Sequence, residues 1–189
     1  MMPDAERLQR LGAGEVLVLE SGTEESVTFI HAQALAQVEA RPVWDIITSC
    51  ERAFVYVRGL KICERLDDEA GRVVIRQVVK RSWAAPTQDY SYESLREPYR
   101  EIRFSLVDGS LKVMEGSWQF VEIPEGLLLD YRFRVQPGTP APKFIIQSII
   151  NQDTLNLMAC IRGMAAGSGS AKQSESDLGD CPGDLEAGE

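Results

Sequence analysis

The pattern of hydrophobic and polar positions predicts two strands near the start of the chain. Residues 15–20 read EVLVLE, and residues 26–38 read SVTFIHAQALAQV after the turn-forming segment SGTEES. Side chains alternate between the two faces of a strand, so one alternating set should face the core. We expect that set to be Thr28, Ile30, Ala32, Ala34, Ala36 and Val38, which are small or apolar apart from the threonine.

Helical spacing follows between residues 40 and 57. Pro42 suits the first turn of a helix, and the apolar residues after it are Val43, Trp44, Ile46 and Ile47. Residues 51–57 predict a second short helix that ends near Gly59. Helices of this length are unstable in isolation, so both are expected to pack on other elements.

Strand patterns return after Gly59 and continue to residue 135. The strand candidates are residues 60–67, 72–83, 87–97, 100–109, 112–123 and 127–135, separated by turn sequences such as Asp108-Gly109 and PEG. Short intervals and tight turns predict an antiparallel meander. In the last strand one face holds Leu127, Leu129, Tyr131, Phe133 and Val135, and the other holds Leu128, Asp130, Arg132 and Arg134. The second face is expected to be largely solvated, which predicts a sheet covered on one side only.

A long helix is predicted for residues 142–164, after the proline-rich PGTPAP. Its apolar stripe comprises Ile145, Ile146, Ile149, Ile150, Leu157, Cys160, Ile161 and Met164. The elements together predict an α+β fold, with a curved antiparallel sheet of about seven to eight strands around a long C-terminal helix and two short helices after the first strands. A curved sheet that grips a helix tends to leave a cavity between them.

Two segments resemble a known superfamily. The segment VEARPVWDIITSCERAFVYVRGLKICERL matches the pattern A-P-x-x-V-W followed by F-V-P-G-L-K through Ala40, Val43, Trp44, Ile46, Ile47, Thr48, Val57, Gly59, Leu60 and Lys61. A second strand pair matches through Gly109, Leu111, Lys112, Glu115, Gly116 and Trp118. Both are similar to the START-like (SRPBCC) helix-grip superfamily, within its polyketide cyclase/dehydrase and coenzyme Q-binding protein group. The resemblance implies a hydrophobic ligand such as a lipid, an isoprenoid quinone or a polyketide-like molecule.

The resemblance spans most of the chain and suggests three parts. Residues 1–13 form an N-terminal extension with a short amphipathic helix, and residues 14–165 form the START-like ligand-binding domain. Residues 166–189 are rich in glycine, serine and acidic residues, so we expect a disordered tail.

Composition limits the kinds of partner that the protein is expected to bind. The net charge of −9 argues against nucleic-acid binding, which needs a basic surface. No stretch approaches the roughly 18 apolar residues of a membrane span, so stable membrane insertion is not expected. The four cysteines are scattered and there is one histidine, so we expect no metal site and no cofactor. Two disulfides are possible, but the spacing is explained more simply by free thiols in a reducing compartment. The N-terminal residues show no signal-peptide pattern, so we expect a cytoplasmic protein. We expect it to be a monomer or a dimer.

Residues on the predicted inner faces are the candidate cavity lining. They are Trp44, Gln77, Tyr90, Tyr92, Phe104, Met114, Trp118, Tyr131, Phe133, Ile149, Asp153 and Leu157. Asp153 is unusual, because a carboxylate within an apolar stripe is costly unless it is paired or exposed. It is expected either to form a salt bridge with an arginine of the sheet or first helices, or to serve as a polar anchor at the end of the cavity. Gln77 or Arg81 could hold a ligand headgroup, or they could face solvent near the end of the strand, which is the expectation for Arg81.

Three functions remain open at this point. The sequence shows no paired carboxylates and no Ser/Cys–His spacing, which favours a non-enzymatic protein that binds or transports a hydrophobic small molecule. The alternative is an aromatase/cyclase-type enzyme acting on a polyketide-like substrate. It would need an ionisable residue deep in the cavity, and the candidates are Asp153, His31 and Glu115. A third possibility is an interaction module whose own side chains fill the cavity.

Overall fold

The computed structural model describes residues 3–81, 83, 85–167 and 181, and the elements follow the predicted order. The helices are α1 (Ala5–Gly12), α2 (Ala40–Ile47), α3 (Cys50–Tyr56) and α4 (Lys143–Gly167). The strands are β1 (Leu17–Glu24), β2 (Val27–Ala36), β3 (Leu60–Glu69), β4 (Arg72–Val79), β5 (Gln88–Glu97), β6 (Glu101–Gly109), β7 (Leu111–Ile123) and β8 (Gly126–Pro137).

All the strands belong to one antiparallel sheet. Its order is β1-β2-β8-β7-β6-β5-β4-β3, so β3 to β8 form the predicted meander. Within the β1–β2 hairpin it is β2 that pairs with β8, which places the second and last strands of the chain side by side and leaves β1 at the edge. The helices α2 and α3 cross from β2 to the far edge at β3. The predicted α+β helix-grip fold is therefore confirmed.

The inner face of β2 supports α4. Ala32, Ala34 and Ala36 are fully buried, as the alternation predicted, and their short side chains let the helix approach the sheet closely. The buried stripe of α4 runs through Ile150, Thr154, Met158, Ile161 and Ala165. The predicted stripe was wrong at its start, because Ile145 and Ile149 lie on the flank of this line and are 42% and 38% exposed.

The outer face of the sheet is also partly covered, contrary to the expectation of a one-sided sheet. Asp4 caps α1 by accepting a hydrogen bond from the backbone N–H of Arg7 at 2.9 Å. The helix then packs Leu11 against Leu35 and Leu128, and all three are buried. Leu128 was expected in solvent, and α1 explains the difference.

Asp130 was expected on the solvated face and is instead buried. The His31 ring nitrogen Nε2 lies 2.9 Å from both carboxylate oxygens of Asp130. The side-chain amide of Gln33 donates to Asp130 Oδ2 at 2.7 Å, and Arg132 Nε lies 3.4 Å from Oδ1. The alternation correctly assigned Asp130 to the outer face, but pairing of β2 with β8 supplies donors that make its burial tolerable.

We expect Asp130 to make the fold sensitive to acid. Burial alone raises the pKa of Asp130, but hydrogen bonds from His31 and Gln33 and the charges of His31 and Arg132 outweigh it, so the pKa is lowered. A carboxyl whose folded-state pKa is depressed stabilises the fold above its unfolded pKa of about 3.9 and loses that contribution as pH falls through the folded value. Asp130→Asn should therefore cost about 1–3 kcal/mol at pH 7, and this cost should shrink as pH falls below about 3.9 and through the lowered folded-state pKa.

Urea denaturation between pH 2 and pH 7 checks this difference. Asp108→Asn, at an exposed position at the end of β6, is the matched control and should change stability little at any pH. An acid-induced loss of stability that is the same in wild type and Asp130→Asn would contradict the role given to Asp130.

The cysteines form two disulfides, so the expectation of free thiols was wrong. Cys50 bonds Cys63 with the Cα atoms 5.5 Å apart, and Cys160 bonds Cys181 with the Cα atoms 4.7 Å apart. The sequence spacing did not reveal these pairs, because they form only when α3 docks beside β3 and residue 181 returns to α4.

The predicted disordered tail, apart from residues 166, 167 and 181, lies outside the described residues. Across the part of the chain that the structure describes, no helix is long and apolar enough to cross a membrane.

Candidate ligand-binding site

A cavity of about 180 Å³ lies between the concave face of the sheet and α4. Five consecutive strands, β4 to β8, form one wall, α4 forms the opposite wall, and residues of α2 and α3 close one side. The lining residues are Ile47, Tyr56, Val57, Arg58, Ile75, Gln77, Arg81, Tyr90, Tyr92, Ser94, Arg96, Ile102, Phe104, Met114, Trp118, Tyr131, Phe133, Ile150, Asp153, Thr154 and Leu157.

Most of the predicted lining residues do face this cavity. Ten of the twelve lie on its wall: Gln77, Tyr90, Tyr92, Phe104, Met114, Trp118, Tyr131, Phe133, Asp153 and Leu157. Trp44 does not, because α2 turns it into the core, where its ring centroid lies 5.5 Å from that of Phe120. Ile149 lies on the exposed flank of α4. That the ten bind a ligand stays a prediction.

Aromatic rings form a continuous wall across four strands. The ring centroids of Trp118 and Tyr131 are 4.2 Å apart, and Phe104 lies 6.1 Å from Phe133 and 6.2 Å from Tyr92. Gly116 pairs with Phe104 on one side and Phe133 on the other. A Cβ atom at Gly116 would collide with the carbonyl oxygen of Arg132 and with the Phe104 ring, so a glycine is needed where the strand and the aromatic ring approach this closely.

The tyrosines that line the cavity are neutral hydrogen-bonding groups. Burial raises the pKa of Tyr90 to about 12, and burial likewise raises the pKa of Tyr56, Tyr92 and Tyr131. Near neutral pH these phenols therefore keep their protons and cannot act as general bases.

Two of the four hydroxyls are satisfied within the protein. Tyr90 donates to Gln77 Oε1 at 3.0 Å, and Tyr56 donates to the carbonyl oxygen of Ile47 at 3.2 Å. The hydroxyls of Tyr92 and Tyr131 make no hydrogen bond to any residue that the structure describes. Since buried tyrosine hydroxyls usually find a partner, these two are suited to meet a polar atom of a ligand.

Asp153 forms an ion pair with Arg81 on the cavity wall. The pair links the end of β4 to α4, and the side chains are 33% exposed for Arg81 and 18% exposed for Asp153. The expected salt bridge between Asp153 and an arginine is thus present. Asp153 also lines the cavity, and its role as a polar anchor for a ligand stays a prediction.

The other two candidate ionisable residues lie outside the cavity. His31 is on the outer face of β2 with Asp130, and Glu115 is on the outer face of β7, where Arg134 donates to it at 2.9 Å. Alternation along each strand explains both positions, because their neighbours Ala32, Met114 and Gly116 point inward.

Sequence reasoning missed the polar end of β5. Tyr90 and Tyr92 were recognised as inward-facing, but the same alternation continues through Ser94 and Arg96, which also line the cavity. Applying the period of two to the end of the strand could have found both. The contributions of Tyr56 and Arg58 depend on how α3 docks, which has no local signal.

Comparison with known proteins identifies the family. A sequence profile described as "Polyketide cyclase / dehydrase and lipid transport" matches residues 37–162, which is more than half of the 189-residue chain. The chain belongs to this family. The polyketide cyclase/dehydrase and lipid transport family is part of the START-like group that the motifs around Trp44 and Gly116 resembled, and membership supports binding of a hydrophobic ligand. A search of curated protein sequences finds no match.

Solved structures of low sequence identity share the fold. The aromatase/cyclase ZhuI from Streptomyces sp. R1128 has a TM-score of 0.63 at 14% identity, covering 77% of this chain and 97% of its own. A STAR-related lipid transfer protein from Xanthomonas axonopodis has a TM-score of 0.64 at 11% identity, covering 80% and 98%. A protein from Thermus thermophilus has a TM-score of 0.62 at 15% identity, covering 75% and 99%. The family fold thus occurs in both a cyclase and a lipid carrier.

Proposed function

We propose that this protein binds or transports a hydrophobic small molecule in the cavity between its sheet and α4. The observation that carries the proposal is the aromatic wall, on which the hydroxyls of Tyr92 and Tyr131 have no partner among the described residues. Burial of apolar ligand surface would supply about 25 cal/mol per Å², and the hydroxyls would orient the ligand.

The size of the cavity limits what it encloses. An apolar cavity of about 150 Å³ accepts benzene, so about 180 Å³ holds a ring or a short chain. Arg58 is exposed and also lines the cavity, which indicates an opening beside the connection from α3 to β3. A lipid, quinone or polyketide-like molecule would place one end inside and extend its remainder through this opening.

A cyclase activity is the second candidate, favoured by the fold it shares with an aromatase/cyclase. Of the three ionisable candidates, only Asp153 lies on the cavity wall, and Arg81 neutralises it. The tyrosines stay protonated near neutral pH. These features supply no free general base, so they support the binding function over ring-closing chemistry.

The cytoplasmic location predicted from the sequence stays a prediction. It depended partly on free thiols, and the two disulfides weigh against a reducing compartment. Alkylation of the protein during lysis of its own cells, followed by mass spectrometry, reports the redox state directly. Unmodified cysteines would favour an oxidising compartment, and four alkylated cysteines would favour the cytoplasm.

Filling the cavity should abolish binding. Thr154 is buried on α4 and lines the cavity, so Thr154→Phe introduces a ring into the space that a ligand needs. We expect the affinity for 1-octanol, measured by isothermal titration calorimetry, to fall at least about tenfold, or about 1.4 kcal/mol.

Gln152→Phe is the matched control, because residue 152 is exposed on the same helix. It should leave the affinity for 1-octanol unchanged, and thermal denaturation should show that both variants fold. Native mass spectrometry of protein purified from its own organism gives the independent test. Protein that is consistently empty, together with no 1-octanol binding to wild type, would refute the proposed function.

A further inference from the structure

Arg96 stands out among the charged groups of the cavity. Three arginines line it: Arg58 is exposed, Arg81 is paired with Asp153, and Arg96 is half-buried. The guanidinium of Arg96 donates from Nε to Ser94 Oγ at 3.2 Å. Among the residues that the structure describes, no carboxylate lies within ion-pair distance of it.

The charges around Arg96 do not neutralise it. The charged residues that act on Arg96 are Arg65 and Asp68, and these two pair with each other at 3.4 Å. Burial and the charge of Arg65 lower the pKa of Arg96, opposed by Tyr92, Asp68 and Tyr56. A guanidinium nevertheless stays protonated in proteins, so this end of the cavity carries a net positive charge that costs free energy until an anion approaches.

The two ends of the cavity differ in charge. Tyr90 and Arg96 lie on the same face of β5, about 20 Å apart at about 3.3 Å per residue. The end near Tyr90 holds the Arg81–Asp153 pair and the exposed Arg58, whose charge is screened by solvent. The end at Arg96 holds a half-buried cation with no carboxylate partner among the described residues. The aromatic wall lies between them. A matching ligand has an apolar body and a single negative charge at one end.

We propose that the cavity takes an apolar carboxylic acid, whose carboxylate binds the Arg96 guanidinium and the Ser94 hydroxyl. This inference depends on the proposed binding function and adds the chemical class of the ligand. The oxygen of Ser94 already accepts from Arg96 Nε, so its O–H is available to donate to the carboxylate. One guanidinium matches the single charge and planar shape of a carboxylate, whereas a dianionic phosphate would leave a charge uncompensated.

The test compares octanoate with 1-octanol, which have the same chain length and differ in charge. By isothermal titration calorimetry at pH 7.5, wild type should bind octanoate at least about tenfold more tightly than 1-octanol, or about 1.4 kcal/mol. Arg96→Gln should lose this preference while its affinity for 1-octanol stays within about threefold, because the removed interaction is specific for the anion. Arg96→Lys keeps the charge and should retain part of the preference.

Arg103→Gln is the matched control, because Arg103 lies exposed on the outer face of β6 and should not affect either ligand. Equal binding of octanoate and 1-octanol by wild type would overturn this inference and leave the proposed function standing. Failure of wild type to bind either ligand would overturn this inference, and together with consistently empty native protein it would refute the proposed function as well. If Arg96→Gln does not fold, the comparison of octanoate with 1-octanol in wild type and in Arg96→Lys still decides whether the cavity prefers a carboxylate.

Discussion

Trp118→Ala is expected to lower the free energy of unfolding by about 3–5 kcal/mol. Trp118 is 5% exposed, and its indole packs 4.2 Å from the Tyr131 ring between β7 and β8. Removing it sacrifices the buried apolar surface and leaves a void that the surrounding strands cannot fill, because the sheet fixes their spacing. Urea denaturation followed by far-ultraviolet circular dichroism measures the loss.

Trp83→Ala is the matched control for this substitution. Trp83 is 94% exposed, between β4 and β5, so its removal should change stability by no more than about 0.5 kcal/mol. A loss of less than about 1 kcal/mol in Trp118→Ala would contradict the close packing described for this wall.

The same substitution should also change the preference for ligands. Trp118 lines the cavity, so the space vacated by its indole adds to the volume available for a ligand. We expect 2-naphthalenemethanol to gain affinity relative to 1-octanol in Trp118→Ala. An unchanged ratio of the two affinities would mean that ligands do not contact Trp118.

Removing the disulfide between Cys50 and Cys63 is the second change with a large expected effect. The bond closes a loop with a sequence separation of 13, and cross-links of this size stabilise by about 3 kcal/mol, mainly by restricting the unfolded chain. The double variant Cys50→Ala/Cys63→Ala should lose about this amount in urea denaturation without reductant.

The position of this bond gives the loss a functional consequence. It ties the start of α3 to β3, and Cys63 Sγ lies 3.9 Å from Nε2 of Gln77 on the cavity wall. The double variant should therefore also bind 1-octanol more weakly. Reductant should lower the stability of wild type by more than that of the double variant, since wild type has one more bond to lose. If the double variant is as stable as wild type when no reductant is present, the bond between Cys50 and Cys63 is contradicted.

Most of the fold could be predicted from the local periodicity of the sequence. The alternation from Thr28 to Ala36 and from Leu127 to Val135 identified the inner faces of the strands, because a strand that is buried on one face must repeat every two residues. The spacing after Pro142 identified the long helix in the same way. Most of the cavity wall followed, since residues such as Phe104 and Trp118 lie on those inner faces.

The burial of charged side chains and the pairing of cysteines depended instead on residues that are distant in sequence. Asp130 is buried because β2 pairs with β8 and supplies His31 and Gln33, and Cys50 meets Cys63 only when α3 docks on β3. No periodic pattern reports such encounters.

The cavity itself shows the same division. The sequence by itself determined that an aromatic inner face would meet a long helix, because that information lies in repeats of two and of about 3.6 residues. Only the tertiary structure decided that Asp153 pairs with Arg81, that Trp44 turns into the core, and that Arg96 has no carboxylate partner among the described residues. The physical reason is that strand register and helix docking, set by the packing of the whole chain, decide which charges come within reach of one another.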